Sequence, residues 1–166
     1  DGNWEKIYSS IENKERVDFD EVKRVKESIG CKYITLLSKN YPERLKKIYK
    51  PPFVLYYDGD MDILNNKTLG VIGSRCNSEY GRIATESIVS YIIDKREIVI
   101  VSGMAKGIDS IAASTTIVNN GKTVGVLGCG LKFPLSTLDC TLYDRIKNRG
   151  LLISEYPPQS APTKEK

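Results

Sequence analysis

Four short apolar runs recur along the second half of this sequence: Leu69 to Ile72, Ile98 to Val101, Val124 to Leu127 and Leu151 to Ile153. None alternates polar with apolar residues, so each has the character of a strand covered on both faces. The stretches between them, roughly 80–95, 107–119 and 138–149, are long enough and apolar enough for helices. Strands separated by helices of this length build a parallel sheet with right-handed crossovers. The expected fold is therefore α/β, a doubly wound, mostly parallel, Rossmann-like sheet in three layers.

The first third of the chain reads differently. Residues 1–32 are a polar, charged lead, expected to be helical, and 33–166 form the Rossmann-like domain. Asp20 to Ile29 carries apolar positions at helical spacing, with Asp20 as the expected cap and Gly30 as the expected stop. Tyr33 to Leu37 and Phe53 to Tyr57 read as strands, the second closed by a turn at Asp58-Gly59-Asp60. Tyr41-Pro42-Glu43-Arg44-Leu45 opens a short helix between them, because proline is tolerated in a first turn.

Glycine-bearing turns follow the first three core strands directly. They are Gly73-Ser74-Arg75, Ser102-Gly103-Met104-Ala105-Lys106-Gly107-Ile108-Asp109 and Gly128-Cys129-Gly130. In a parallel sheet all three lie at the carboxyl edge, where α/β proteins bind ligands near the topological switch point. Free N–H groups at the following helix N-terminus favour an anion, phosphate above all. Arg75 and Lys106 add one cation each. A single glycine turn can be no more than a connection; three on one edge, two with cations, point to a phosphate site. Asp109 has two readings. A carboxylate at a helix start is accounted for by the dipole and the free N–H groups; alternatively it orients Arg75 or the glycine loop. Glu155 either faces the same pocket or is solvated.

The residues also exclude a good deal. The 166-residue chain has no histidine, which removes Ser-His-Asp and Cys-His nucleophile systems and zinc sites of the HExxH type. Neither G-x-G-x-x-G nor G-x-x-x-x-G-K-[ST] occurs, and the second core strand ends without an acid to hold a ribose hydroxyl. No catalytic residue, metal ligand or cofactor is expected. The four cysteines lack C-x-x-C spacing, and Cys129, between two glycines, reads as a small buried thiol in a reducing compartment. The sequence shows no signal peptide and no membrane-length apolar run, so the expected location is cytoplasmic, with no membrane partner. A net charge of +4 permits an anionic partner without requiring one. Of the ten tyrosines, Tyr33, Tyr56 and Tyr57 lie on expected strands, where aromatic rings usually pack. Arg44-Leu45-Lys46-Lys47 is a solvated helix face or the extension of a phosphate track.

One ordered series of motifs is more specific than any of these turns. It runs Tyr41-Pro42-x-x-Leu45, Pro51-Pro52-x-Val54-Leu55, Gly73-Ser74-Arg75, Tyr80-Gly81, Ser102 to Asp109, Gly121-Lys122-Thr123, Gly128-Cys129-Gly130 and Ser154-Glu155-Tyr156. Over roughly residues 30–162 this resembles the DNA-processing protein A family, called DprA or Smf. The resemblance implies an extended Rossmann-like fold that binds single-stranded DNA, protects it during natural transformation and competence, and helps load the RecA recombinase for recombination. It also implies a homodimer and no enzymatic activity. Carried over by motif, Gly73, Ser74, Arg75, Ser102, Gly103, Lys106 and Gly107 line the phosphate pocket, with Asp109, Gly128 and Gly130 completing the candidate set. Lys106 stands where the family usually has arginine, keeping the charge but losing the planar fork.

Three departures accompany the resemblance. Ala112-Ala113 replaces a common Ala-His pair; Leu135-Ser136 and Asp139 replace a Tyr-Pro and an Asn. The family's Phe-Pro-x-Arg-Asn-Arg segment, expected after Pro162, is absent, which suggests a fragment or a divergent, truncated member. The alternative readings are a nucleotide-binding sensor, or an enzyme like the nucleoside-monophosphate phosphoribohydrolases using the same glycine turns. The second would need a Pro-Gly-Gly-x-Gly-Thr motif, which the chain lacks.

Overall fold

A computed structural model describes residues 4–13, 18–134 and 140–162. Leu135, Ser136 and Asp139 lie outside the described residues, as does the start of the helix expected from 138. The lead contains two helices, α1 (Trp4–Glu12) and α2 (Phe19–Ile29). The capping carboxylate of α2 is Asp18, whose Oδ1 accepts the Asp20 N–H at 2.9 Å, in place of the expected Asp20. Gly30 does end the helix, with φ +60°.

The remaining elements are β1 (Lys32–Thr35), α3 (Glu43–Lys46), β2 (Val54–Gly59), a 3₁₀ turn (Met61–Asn65), β3 (Lys67–Gly70), α4 (Glu79–Lys95), β4 (Ile98–Ser102), α5 (Ile108–Val118), β5 (Thr123–Leu127), α6 (Cys140–Arg149) and β6 (Leu151–Ser154). They form one six-stranded sheet in the order β1-β2-β6-β5-β4-β3. β3 to β6 are parallel, and β1 and β2 add antiparallel at the β6 side. The mostly parallel α/β sheet matches the expectation. The parallel strands sit side by side in chain order, so their carboxyl ends gather on one edge with no reversal of strand order needed.

Two strands depart from the expected bounds. β3 begins at Lys67 and ends at Gly70, two residues early. As the edge strand it has one neighbour, and after the Val71 N–H donates to the Val101 carbonyl at 2.9 Å the chain leaves the sheet. Ile72 is consequently 79% exposed. β2 runs on to Gly59 because Asp58 and Gly59 pair with Leu152 and Leu151, where a turn was expected.

Successive side chains point to opposite faces of the sheet, and consecutive residues such as Val99 and Ile100 or Leu151 and Leu152 are buried on both. One face carries Ile100, Leu127 and Leu152 and packs on α4, α5 and α6 through Val89, Ala112, Ala113, Ile117, Leu142 and Ile146. The other face carries Val99, Val124 and Leu151 and packs on Ile63 of the 3₁₀ turn, continuing to Ile34, Tyr41 and Leu55 below α3. Tyr33 and Tyr56 pack with ring centroids 6.4 Å apart, so these strand tyrosines belong to the scaffold. Cys31, Cys76 and Cys129 are free thiols, and Cys129 is buried as expected. No helix among the described residues is long and apolar enough to cross a membrane.

Candidate nucleic-acid interface

The first two glycine turns are locked together. α5 starts directly after the second turn, and its first residues reach back to the first. The Ile108 N–H donates to the Ser74 carbonyl at 3.2 Å. The Asp109 carboxylate, only 5% exposed, takes the Gly73 N–H on Oδ1 at 3.2 Å and the Gly103 N–H on Oδ2 at 2.8 Å. Each oxygen thus holds one turn.

Glycine is required here by space more than by ligand approach. Gly107 has φ +93°, and a Cβ there would run into the Ser74 carbonyl oxygen. A Cβ on Gly73 would lie 2.7 Å from Ile108 Cγ1. These residues let two turns and a helix start share one small volume.

What remains open at the edge is cationic and rich in donors. Arg75 and Lys106 are exposed, with no ion pair among the described residues. The N–H groups of Ser74, Arg75, Ala105 and Lys106 have no acceptor among the described residues. Ser74 Oγ accepts the Cys76 N–H at 3.1 Å, which shapes the arginine turn. Ser78 then caps α4 by accepting the Gly81 N–H at 3.1 Å. Ser102 is 2% exposed, and its Oγ finds no partner, so it sits behind the turns, away from the surface.

The third turn divides. Gly128 is exposed, and a Cβ on it would meet nothing within 4 Å. Gly130 is buried: its N–H donates to the Ser160 carbonyl at 2.9 Å, and a Cβ there would run into the Pro157 and Pro158 carbonyl oxygens. Ser154 Oγ donates to the Cys129 carbonyl at 2.7 Å, fixing the same turn to the last strand. Glu155 is exposed, the solvated one of its two readings.

The basic run around Arg44 is a surface feature, with Lys46 paired to Glu43 at 2.7 Å and Arg44 reaching Thr68 Oγ1 at 3.5 Å. Sequence reasoning passed over Tyr80 as a site residue. It is 81% exposed in the first turn of α4, close in the chain to the arginine turn. The signal was present in Ser78, a capping residue that marks where the turn ends and the helix begins.

Known proteins resemble this chain in sequence and fold. The family described as DNA recombination-mediator protein A matches residues 32–166. The DNA processing protein DprA of Streptococcus pneumoniae is 38% identical over 130 residues, covering 78% of this chain and 45% of that protein. The DprA of Bacillus subtilis is 36% identical over 136 residues, covering 81% and 46%. The chain therefore spans about half the length of these relatives. The solved S. pneumoniae DprA matches with a TM-score of 0.80 at 36% identity, over 88% of this chain and 51% of that one. A Helicobacter pylori DNA processing protein A, studied for its single-stranded DNA binding mode, matches with a TM-score of 0.67 at 28% identity, over 82% and 61%. The chain belongs to the DNA recombination-mediator protein A family.

Proposed function

We propose that this protein binds single-stranded DNA in DNA uptake and recombination, through the edge formed by its first two glycine turns. The observation that carries the reading is the meeting of two exposed cations and four backbone N–H groups, none with a partner among the described residues, on turns held together by one helix start. Such a site recognises the phosphate backbone and is indifferent to base sequence. Ser74 and Arg75 contribute amides from one turn, Ala105 and Lys106 from the other. Gly128 leaves room for the strand to pass, and Tyr80 and Ile72 offer exposed surface on which bases stack. Gly73, Gly103, Gly107 and Asp109 build the site without facing the phosphate, and Gly130 and Ser102 support it from behind. Protection of the incoming strand, assistance to RecA, homodimer formation and action in the cytoplasm are part of the same proposal, which family membership supports. The binding requires no covalent chemistry.

The test is a titration of oligo-dT against duplex DNA and nucleoside monophosphates across a salt series. The expected result is preference for the single strand, with log affinity falling by about 0.7 per log unit of salt for each phosphate neutralised. Arg75→Ala and Lys106→Ala are each expected to flatten that slope by up to about 0.7. Unchanged slopes in both variants would sink the site assignment. Release of free base from a monophosphate would instead establish the phosphoribohydrolase-like alternative.

A further inference from the structure

We propose that Asp109 is a positioning residue that makes the two glycine turns a single anion-binding unit, so that Arg75 and Lys106 engage neighbouring phosphates of one strand. This rests on the single-stranded DNA reading and deepens it.

A carboxylate beside a polyanion site is unfavourable unless its charge is spent elsewhere. At 5% exposure, between the Gly73 and Gly103 N–H groups and at the start of α5, the Asp109 charge is satisfied internally and turned away from the strand. The two bonds span the site from one turn to the other, across 36 residues of chain in the first case and 6 in the second. They also consume two of the N–H groups on the turns, while those of Ser74, Arg75, Ala105 and Lys106 have no acceptor among the described residues. The Ile108 N–H bond to the Ser74 carbonyl and the seating of Gly107 against Ser74 and Arg75 close the same joint from the other side. No other contact among those described holds both turns through one side chain.

Two accounts of Asp109→Asn predict opposite signs. If the residue acted on DNA only through its charge, removing a negative group near the polyanion would tighten binding. If it positions the turns, the amide keeps one acceptor, presents an NH₂ to the other donor, and releases one turn. Binding then weakens and the salt slope flattens, because one cation no longer meets the strand. The expected loss is about fivefold at 0.1 M salt, the contribution of one phosphate at a slope of about −0.7.

The experiment measures oligo-dT affinity across salt for wild type and Asp109→Asn, with amide exchange at Gly73 and Gly103 followed by NMR in both. Weaker binding, a flatter slope and faster exchange at one glycine or both support the proposal. Equal or tighter binding overturns it, and so does lower thermal stability with wild-type affinity and slope in the folded protein. Should Asp109→Asn fail to fold, Gly107→Ala loosens the same joint with the carboxylate retained, and an unchanged slope there overturns the proposal. If wild type itself ignores single-stranded DNA, the functional reading falls. The joint is then judged on exchange alone, and wild-type protection at both glycines in Asp109→Asn or, should that fail to fold, at Gly73 in Gly107→Ala overturns it.

Discussion

Gly73 and Gly128 look alike in the sequence, each the first glycine of a turn after a core strand, yet they meet opposite surroundings. A Cβ on Gly73 would sit 2.7 Å from Ile108 Cγ1 and 2.8 Å from its Cβ, a β-branched side chain with little freedom to yield. Gly128 faces open space. Gly73→Ala is expected to lower stability by about 1–3 kcal/mol through overpacking. Gly128→Ala is expected to stay within about 0.5 kcal/mol of wild type. Urea unfolding of both variants checks this, and equal losses would contradict the placement of α5 against the first turn. At this scale the sequence shows that glycine is present but not which atoms come near it, because Ile108 arrives from 35 positions further along.

The helices were legible by length and less so by face. α4 and α5 begin within a residue of the expected positions, since capping and glycine signals act over a few residues. α5 has almost no exposed face, Val118 being its one exposed residue, with Ala112 packed toward Val89 and Ile100 and Ala113 toward Met104, Ile117 and Leu127. Its small residues let it lie between α4, α6 and the sheet, so that its first turn can reach both glycine turns. Ala113 is also where the family commonly has histidine, and here the position is filled by core. α4 depends on the Ser78 cap, which lies just past the arginine turn. Ser78→Ala is expected to cost about 1 kcal/mol through loss of the bond to the Gly81 N–H. Thermal unfolding measures it, and affinity for oligo-dT should change by less than in Arg75→Ala.

On the scale of the whole molecule, two tyrosine hydroxyls, one buried and one half-buried, are expected to contribute to the loss of stability at alkaline pH. Tyr41 donates to the Pro52 carbonyl and Tyr143 to the Leu131 carbonyl, both at 2.7 Å. Burial pushes each hydroxyl up to about 12, with the charge of Glu155 adding to the effect on Tyr41 and that of Asp58 on Tyr143. Both hold their protons more tightly in the folded chain than in the unfolded one, where tyrosine titrates near pH 10. Their contribution is therefore complete below about pH 10 and is lost as pH rises towards about 12. Tyr41→Phe and Tyr143→Phe are each expected to cost about 1 kcal/mol at neutral pH. Together they should soften the decline between about pH 10 and 12, as followed by urea midpoints across pH. A decline as steep as in wild type would show that other groups set the limit. The net charge of +4 would assist encounter with an anionic strand, but the proposed site depends on where Arg75 and Lys106 stand rather than on that total.

The sequence by itself determined the α/β alternation, the strands, the turns on one edge and the two cations beside them. All of these are local, carried by runs and spacings a few residues long. Only the tertiary structure decided the order of strands, the escape of the edge strand at Gly70, the internal placement of Gly130 and Ser102, and above all the bonds of Asp109. Its carboxylate could be read from the chain as a helix-start charge, because the dipole argument needs only its immediate neighbours. That its two oxygens bind one turn each depends on Gly73 being folded against it, a contact across the sheet edge that no local pattern encodes.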